Sequence, residues 1–138
     1  MQKLYLEIES SRSRIREIEQ LMSRANEYFG LSEDEYNRMM IGVTEIAVNA
    51  IVHGNKENIT KKVRVTVELN DEKMKITIAD EGEGFDMEKL PDPTKAENIL
   101  DIHGRGIYIA RNMVDELTYS HIEGRGTEIV MIVKKAGS

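Results

Sequence analysis

The sequence predicts an α+β domain in which three helices cover one face of a single mixed, mostly antiparallel sheet. Five segments alternate apolar and polar residues with the period of a strand, and three others space their apolar residues as a helix does. Their order is strand, helix, helix, two strands, helix, two strands, which favours helices segregated to one face over alternating β-α-β units. A chain of 138 residues suits one hydrophobic core, so we expect residues 1–138 to form a single domain.

The N-terminal half is predicted to begin with a strand and continue with two helices. Residues 3–9 alternate and predict a half-buried strand. Residues 15–29 carry apolar side chains at helical spacing, and Gly30 is a suitable terminator of that helix. Ser32 and Glu35 have the spacing of the N-cap and N3 residues of a capping box, so we expect the second helix to begin there.

The C-terminal half is predicted to contain two pairs of strands, separated by a long connection and a helix. The strands are expected at residues 63–69, 74–78, 118–122 and 127–133. Apolar spacing places the third helix at residues 107–117. The connection, residues 85–103, contains both prolines and shows no sustained period. Connections of this length are commonly functional lids.

The composition excludes several classes of partner and site. The net charge is −6 and the chain has no Lys/Arg tract, which disfavours nucleic acid as the main partner. The absence of cysteine excludes disulfides and thiolate metal sites. No apolar run reaches membrane-spanning length, and the N-terminus lacks the pattern of a signal peptide. We therefore expect a cytoplasmic protein that binds neither nucleic acid nor membrane.

The second helix carries the first candidate site residues. It is expected to end at Gly54, and the one ionisable side chain in residues 39–52 is Glu45. Asn49 and His53 follow at intervals of four residues, so the three polar side chains form one oblique row. The predicted core stripe on the opposite face is Tyr36, Met39, Met40, Val43, Ala47 and Ala50. Two interpretations are open: a buried Glu45 satisfied by a polar neighbour, or a pocket-lining helix with Glu45 as a base and Asn49 as a ligand.

Six of the ten glycines form three G-x-G pairs in different contexts. The pairs are Gly82/Gly84, Gly104/Gly106 and Gly124/Gly126. The first follows Asp80, which ends a predicted strand within reach of a ligand. The second enters a helix, and free N–H groups at a helix N-terminus bind phosphate. The third is interpreted as a hairpin turn before Thr127. Neither the P-loop pattern nor the Rossmann G-x-G-x-x-G pattern is present.

These motifs, taken in order, resemble the nucleotide-binding boxes of a known superfamily. Glu45 with Asn49, D-E-G-E-G after a strand, G-R-G at a helix and a final G-T resemble the N, G1, G2 and G-T boxes of the GHKL ATPases. That superfamily includes gyrase B, the histidine-kinase catalytic domain and MutL. Within it, the chain is most similar to the anti-sigma-factor serine kinases of the RsbW and SpoIIAB type. The resemblance implies the Bergerat fold, a two-layer α/β sandwich, and a histidine-kinase-like ATPase domain.

The resemblance also implies a role for each candidate residue. Asn49 would hold Mg²⁺ through its amide oxygen, and Glu45 would orient or deprotonate the attacking hydroxyl. Asp80 would accept a hydrogen bond from the adenine amino group of ATP, with Thr127 supporting it. The other residues of the implied nucleotide site are His53, Gly82, Gly84, Phe85, Gly104, Arg105 and Gly106. Residues 85–103 would form the ATP lid.

Two positions leave alternatives open. His53 is alternatively a helix cap, and a zinc site formed with His103 lacks a third ligand. Ile102 stands where the sporulation-type kinases carry an arginine suited to the γ-phosphate. Arg105 or Lys56 would then supply the positive charge.

The implied function is that of an ATP-dependent anti-sigma factor and protein-serine/threonine kinase. Such a protein phosphorylates an anti-sigma-factor antagonist of the STAS type, sequesters a sigma factor, requires ATP and Mg²⁺, and acts in the bacterial cytoplasm as a homodimer. The alternative is a nucleotide-gated partner-binding module with little or no kinase activity. A histidine kinase is disfavoured, since we expect no phosphoacceptor helix before this domain.

Overall fold

The computed structural model describes residues 1–82 and 102–135, and for residues 102–104 it describes the backbone only. The described strands are β1 (Gln2–Glu9), β2 (Lys62–Leu69), β3 (Lys73–Asp80), β4 (Glu116–Ile122) and β5 (Gly126–Lys134). The described helices are α1 (Ile15–Phe29), α2 (Glu33–Val48) and α3 (Ile102–Met113), with a 3₁₀ turn (Arg12–Arg14) before α1 and a π-helical segment (Asn49–Gly54) after α2. None of these helices is both long and apolar enough to cross a membrane.

The strands form one antiparallel sheet in the order β1-β2-β3-β5-β4. The α+β class is therefore confirmed, although each of the four pairings among the described strands is antiparallel, so the sheet contains no parallel pair there. The register of β3 with β5 places Asp80 opposite Thr127. Two residues that are 47 positions apart in the sequence thus become direct neighbours at one end of the sheet.

One face of the sheet is buried beneath the helices. Its apolar side chains are Ile8, Val63, Val65, Val67, Met74, Ile76, Ile78, Ile129, Met131 and Val133. The helices contribute Met22 and Phe29 from α1 and Met39, Val43 and Ile46 from α2. Each such side chain contributes about 1.5–3 kcal/mol through its removal from water. Alternate strand residues are partly or fully exposed, which confirms that the helices lie on one face.

The ends of the first two helices follow the predicted local chemistry. The Ser32 hydroxyl accepts a hydrogen bond from the Glu35 N–H at 3.2 Å, and the Glu35 carboxylate accepts one from the Ser32 N–H at 3.0 Å. This reciprocal pair is the predicted capping box, and it satisfies two N–H groups that a helix start leaves free. Gly30 ends α1 with φ of 80°, a left-handed conformation that glycine adopts without strain.

The predicted extent of the second helix and its core stripe need correction. Beyond Val48 the chain forms a π-helical turn, in which the Asn55 N–H bonds to the Ala50 carbonyl at 2.8 Å, five residues back. His53 therefore does not continue the α-helical row of Glu45 and Asn49. The buried stripe also includes Gly42 and Ile46, whereas Tyr36 and Met40 are only partly buried. Single π turns within helices are frequent at functional sites.

The long connection was predicted to end at residue 103. The structure starts α3 at Ile102, so Ile102 and His103 belong to its first turn. The rest of the predicted lid, including Gly84 and Phe85, lies outside the described residues apart from its junction with α3.

Candidate functional site

Glu45 faces Gly106 across the contact between α2 and α3. A Cβ atom at position 106 would lie 3.0 Å from Glu45 Oε2, so any side chain there would crowd the carboxylate. Glu45 is partly exposed, and the described part of the chain gives its carboxylate no hydrogen bond or ion pair. Among the described residues, no polar neighbour satisfies Glu45, as the interpretation of a buried, paired carboxylate would require. The carboxylate thus lies beside a residue without a side chain, and its role as a base stays a prediction.

Asn49 lies one turn after Glu45 and is only 5% exposed. Its backbone N–H bonds to the carbonyls of Glu45 and Ile46, at the junction of α2 with the π-helical segment. Its side-chain amide has no hydrogen bond to any residue in 1–82 or 105–135. Burying an unpaired polar group costs about 1–3 kcal/mol, which a ligand in contact with the amide would offset. An amide oxygen is a hard ligand of the kind Mg²⁺ prefers, so the residue fits the implied metal.

Asp80, at the end of β3, is the predicted site residue for the adenine amino group. Its Oδ1 accepts a hydrogen bond from the Gly82 N–H at 2.7 Å, and the hydroxyl and N–H of Thr127 also donate to the carboxylate. Burial raises the pKa of Asp80 above its usual range, although these hydrogen bonds and the nearby His121 act in the opposite direction. The result is a buried acceptor, held at a strand end and supported by Thr127.

Two glycines bring the π-helical segment directly against Asp80. A Cβ atom on Gly54 would lie 2.5 Å from Asp80 Cγ, and one on Gly82 would lie 2.7 Å from the backbone carbon of Gly54. No side chain fits at either position. The sequence predicted Gly54 only as a helix terminator and placed Gly82 in the implied nucleotide site. The structure adds that both glycines allow close backbone contact around the carboxylate.

A buried polar network around Asn55 was not predicted, because the sequence places Asn55 in a polar loop. Asn55 is 1% exposed, and its Nδ2 donates to Ser10 Oγ at 2.8 Å and to the Lys62 carbonyl at 3.0 Å. Its Oδ1 accepts from the Glu81 N–H at 2.7 Å. The Ser10 hydroxyl in turn donates to the Lys61 carbonyl at 2.6 Å. No local pattern reveals this network, since its members come from four separate segments.

The first turn of α3 contains backbone N–H groups that were predicted to contact phosphate. An α-helix leaves its first four N–H groups without a partner inside the helix. In a helix that begins at Ile102, Gly104 and Arg105 belong to that group, whereas Gly106 is the fifth residue. Gly104 and Arg105 therefore have backbone N–H groups without a partner inside the helix, as the predicted phosphate contact requires, and the phosphate-binding role of this stretch stays a prediction. Gly106 also provides space beside Glu45.

For the remaining predicted residues that it describes, the structure gives the position and, where the side chain is described, the burial. His53 is half-buried within the π-helical segment and has a polar interaction, while Lys56 is exposed in the loop after it. Arg105 is exposed on α3 and also has an interaction partner. The side chain of His103 lies outside the description, so the zinc alternative stays untested. Within the described ranges, no three His, Cys, Asp or Glu side chains cluster as metal ligands would.

The chain is similar to several known proteins. The family model of the histidine kinase-like ATPase domain matches residues 8–133. The anti-sigma F factor of Bacillus velezensis is 38% identical over 100 residues, covering 70% of this chain and 67% of that protein. The serine-protein kinase RsbW of Staphylococcus aureus is 31% identical over 113 residues, covering 77% and 71%. The catalytic domain of the histidine kinase ThkA superposes with a TM-score of 0.48 at 15% identity over 96% of this chain and 97% of that one.

Proposed function

The chain belongs to the histidine kinase-like ATPase domain family, and from that premise we propose that it is an ATP-dependent protein-serine/threonine kinase and anti-sigma factor. Its relatives carry the names anti-sigma F factor and serine-protein kinase RsbW. We propose that its substrates are ATP, with Mg²⁺, and a serine or threonine of a STAS-type antagonist protein. A sigma factor would be its second partner, in the bacterial cytoplasm.

The observation that carries the proposal is that α2 carries Glu45 and continues through Asn49 into the π-helical segment, which packs against Asp80. We assign Glu45 and Asn49 to the phosphate end of one nucleotide site, and Asp80, on which Gly54 packs, to the adenine end. In this assignment Asp80 accepts a hydrogen bond from the adenine amino group. The N–H groups at the start of α3 donate to the phosphates. Each group thus has a chemistry suited to one part of a nucleotide.

The transfer step needs positioning and charge neutralisation more than covalent chemistry from the protein. The acceptor hydroxyl oxygen forms a bond to the γ-phosphorus, the bond to the β–γ bridging oxygen breaks, and ADP leaves. Glu45 takes the proton of the hydroxyl, because its carboxylate is partly exposed beside a residue without a side chain. Asn49 would hold Mg²⁺ through its amide oxygen, and the ion would neutralise phosphate charge when bound.

The second candidate function is a nucleotide-gated partner-binding module without transfer activity. One observation favours it: residue 102 is isoleucine, where the sporulation-type kinases carry an arginine suited to the γ-phosphate. Without that charge, ATP would still bind through Asp80 and Asn49. Binding of the sigma factor would then depend on nucleotide while the antagonist stays unmodified.

We expect transfer of the γ-phosphate to an antagonist. The protein would be incubated with Mg²⁺, γ-labelled ATP and each STAS-domain protein of the same genome in turn, followed by mapping of the labelled residue. One antagonist should become labelled on a serine or threonine, and omission of Mg²⁺ should abolish the label. Nucleotide-dependent binding of a sigma factor without any labelled antagonist would favour the module instead.

We further propose that the open face of the sheet forms a homodimer contact. The register aligns an uncharged row across all five described strands, namely Tyr5, Thr66, Thr77, Val130 and Thr118. Tyr5 at its end is 56% exposed. Sedimentation at tens of micromolar should report a dimer for the wild type and a monomer for Thr77→Arg, because a charge would be buried unpaired. Ser23→Arg, on the exposed surface of α1, is the control, and a monomeric wild type contradicts the proposal.

A further inference from the structure

The end of the β2–β3 pairing is closed by side chains instead of backbone hydrogen bonds. The register of the two strands runs to Arg64 opposite Ala79, and two further residues along it bring Lys62 opposite Glu81. Opposite residues of an antiparallel ladder exchange N–H···O=C bonds at every second pair. Here the Lys62 N–H instead donates to the Glu81 carboxylate at 2.5 Å. A side-chain hydrogen bond therefore replaces the direct backbone bond from the Lys62 N–H to Glu81.

The carboxamide of Asn55 occupies the other half of this replaced pair. Its Nδ2 donates to the Lys62 carbonyl at 3.0 Å, and its Oδ1 accepts from the Glu81 N–H at 2.7 Å. A carboxamide presents a donor and an acceptor as a peptide group does, so Asn55 bridges the two strand ends. Its orientation is fixed by chemistry, because a carbonyl requires the NH₂ group and an N–H requires the oxygen.

Asn55 is connected to both backbone segments that surround the Asp80 carboxylate. Its own N–H closes the π turn on Ala50, and the preceding residue, Gly54, packs on the carboxylate. Its side chain holds the Glu81 N–H, which lies between Asp80 and the Gly82 N–H that donates to Asp80 Oδ1. One side chain thus links the π-helical segment to the strand end that carries the acceptor.

We propose that Asn55 is a positioning residue for purine recognition, which holds the Asp80 carboxylate where the exocyclic amino group of adenine donates to it. This inference rests on the proposed binding of ATP through Asp80. Asn55 does not touch the nucleotide in this scheme and acts through Glu81 and Gly54. Its loss changes which purine is preferred, whereas a residue that only stabilises the fold weakens all nucleotides alike.

The test compares ATP with purine riboside triphosphate, which lacks the amino group and keeps the ring, sugar and phosphates. Dissociation constants for both are measured by calorimetry with Mg²⁺, alongside thermal unfolding, for the wild type, Asn55→Ala and Ser10→Ala. Ser10→Ala is the matched control, because it removes two hydrogen bonds of the same network without reaching Glu81. Asn55→Leu, which keeps roughly the size of the side chain and loses both its donors and its acceptor, is used if Asn55→Ala does not fold.

The wild type should prefer ATP by roughly ten- to a hundredfold, the range of a hydrogen bond to a charged acceptor. In the Asn55 variant most of this preference should disappear, while Ser10→Ala should keep it even if its melting temperature falls. An Asn55 variant that weakens both nucleotides by the same factor overturns the inference and makes the residue structural. A wild type that binds both equally removes Asp80 from adenine recognition, and one that binds neither refutes the proposed function; either result overturns the inference too.

Discussion

Glu45→Gln should retain ATP binding and lose most phosphoryl transfer to the antagonist. A positioned general base typically contributes 10²–10⁴-fold to the rate, so a loss on the order of 10²–10⁴-fold is expected. Glutamine has nearly the same shape and fits beside Gly106, but its amide does not take up a proton at neutral pH. Because Glu45 is partly exposed and has no partner among the described residues, the substitution leaves no described group unpaired.

Single-turnover transfer from labelled ATP measures this effect, and calorimetry measures nucleotide affinity in the same preparations. Glu33→Gln is the control, since it makes the same chemical change at an exposed position in the first turn of α2. Glu45→Ala should lose transfer to a similar degree. Transfer at the wild-type rate by folded Glu45→Gln would contradict the role as a base.

Asp80→Asn should weaken ATP binding about ten- to a hundredfold, the loss expected for a hydrogen bond of about 1.5–3 kcal/mol to a charged acceptor. The Gly82 N–H requires an oxygen at Oδ1, so the new NH₂ group occupies the other position of the carboxylate. At that position the NH₂ group would face the adenine amino group, and two hydrogen-bond donors cannot bond to each other. The loss is therefore specific to nucleotides that carry this amino group.

The raised pKa of Asp80 adds a pH dependence with a defined sign. Between the ordinary value of 3.8 and the raised value, the folded nucleotide-free protein binds a proton that the unfolded chain releases. The contribution of Asp80 to the free energy of unfolding therefore increases as pH falls through this window. The affinity for ATP instead decreases as pH falls, because the protonated carboxyl is a poorer acceptor. Both contributions of Asp80, to the pH dependence of stability and to that of ATP affinity, should be absent from Asp80→Asn.

Calorimetric titrations with ATP and urea unfolding at several pH values above 4 check both effects. The difference between wild type and variant isolates Asp80, since all other carboxyl groups are common to the two proteins. Asp71→Asn, in the exposed turn between β2 and β3, is the control for affinity. Unchanged ATP affinity in a folded Asp80→Asn protein would remove this residue from the site.

The sequence by itself determined the features that depend on local pattern. Alternating Val63, Val65 and Val67 predicted a half-buried strand, because side chains on a strand face opposite sides in turn. Ser32 with Glu35 predicted a capping box, because the bonds involved join residues three apart. The order of the motifs also identified four candidate site residues, namely Glu45, Asn49, Asp80 and Thr127. Their chemical roles stay predictions.

Only the tertiary structure decided how these pieces meet. The π turn after Val48 occurs where Gly54 lies against Asp80 and the Asn55 side chain bonds to Glu81, 26 residues away. The sequence predicted Gly106 as a phosphate contact, and the structure adds that it leaves space beside Glu45, because α3 packs against α2 there. Hydrogen bonds between distant segments leave no periodic trace in the chain, so the polar network of Asn55 appears only once the strands and helices are packed.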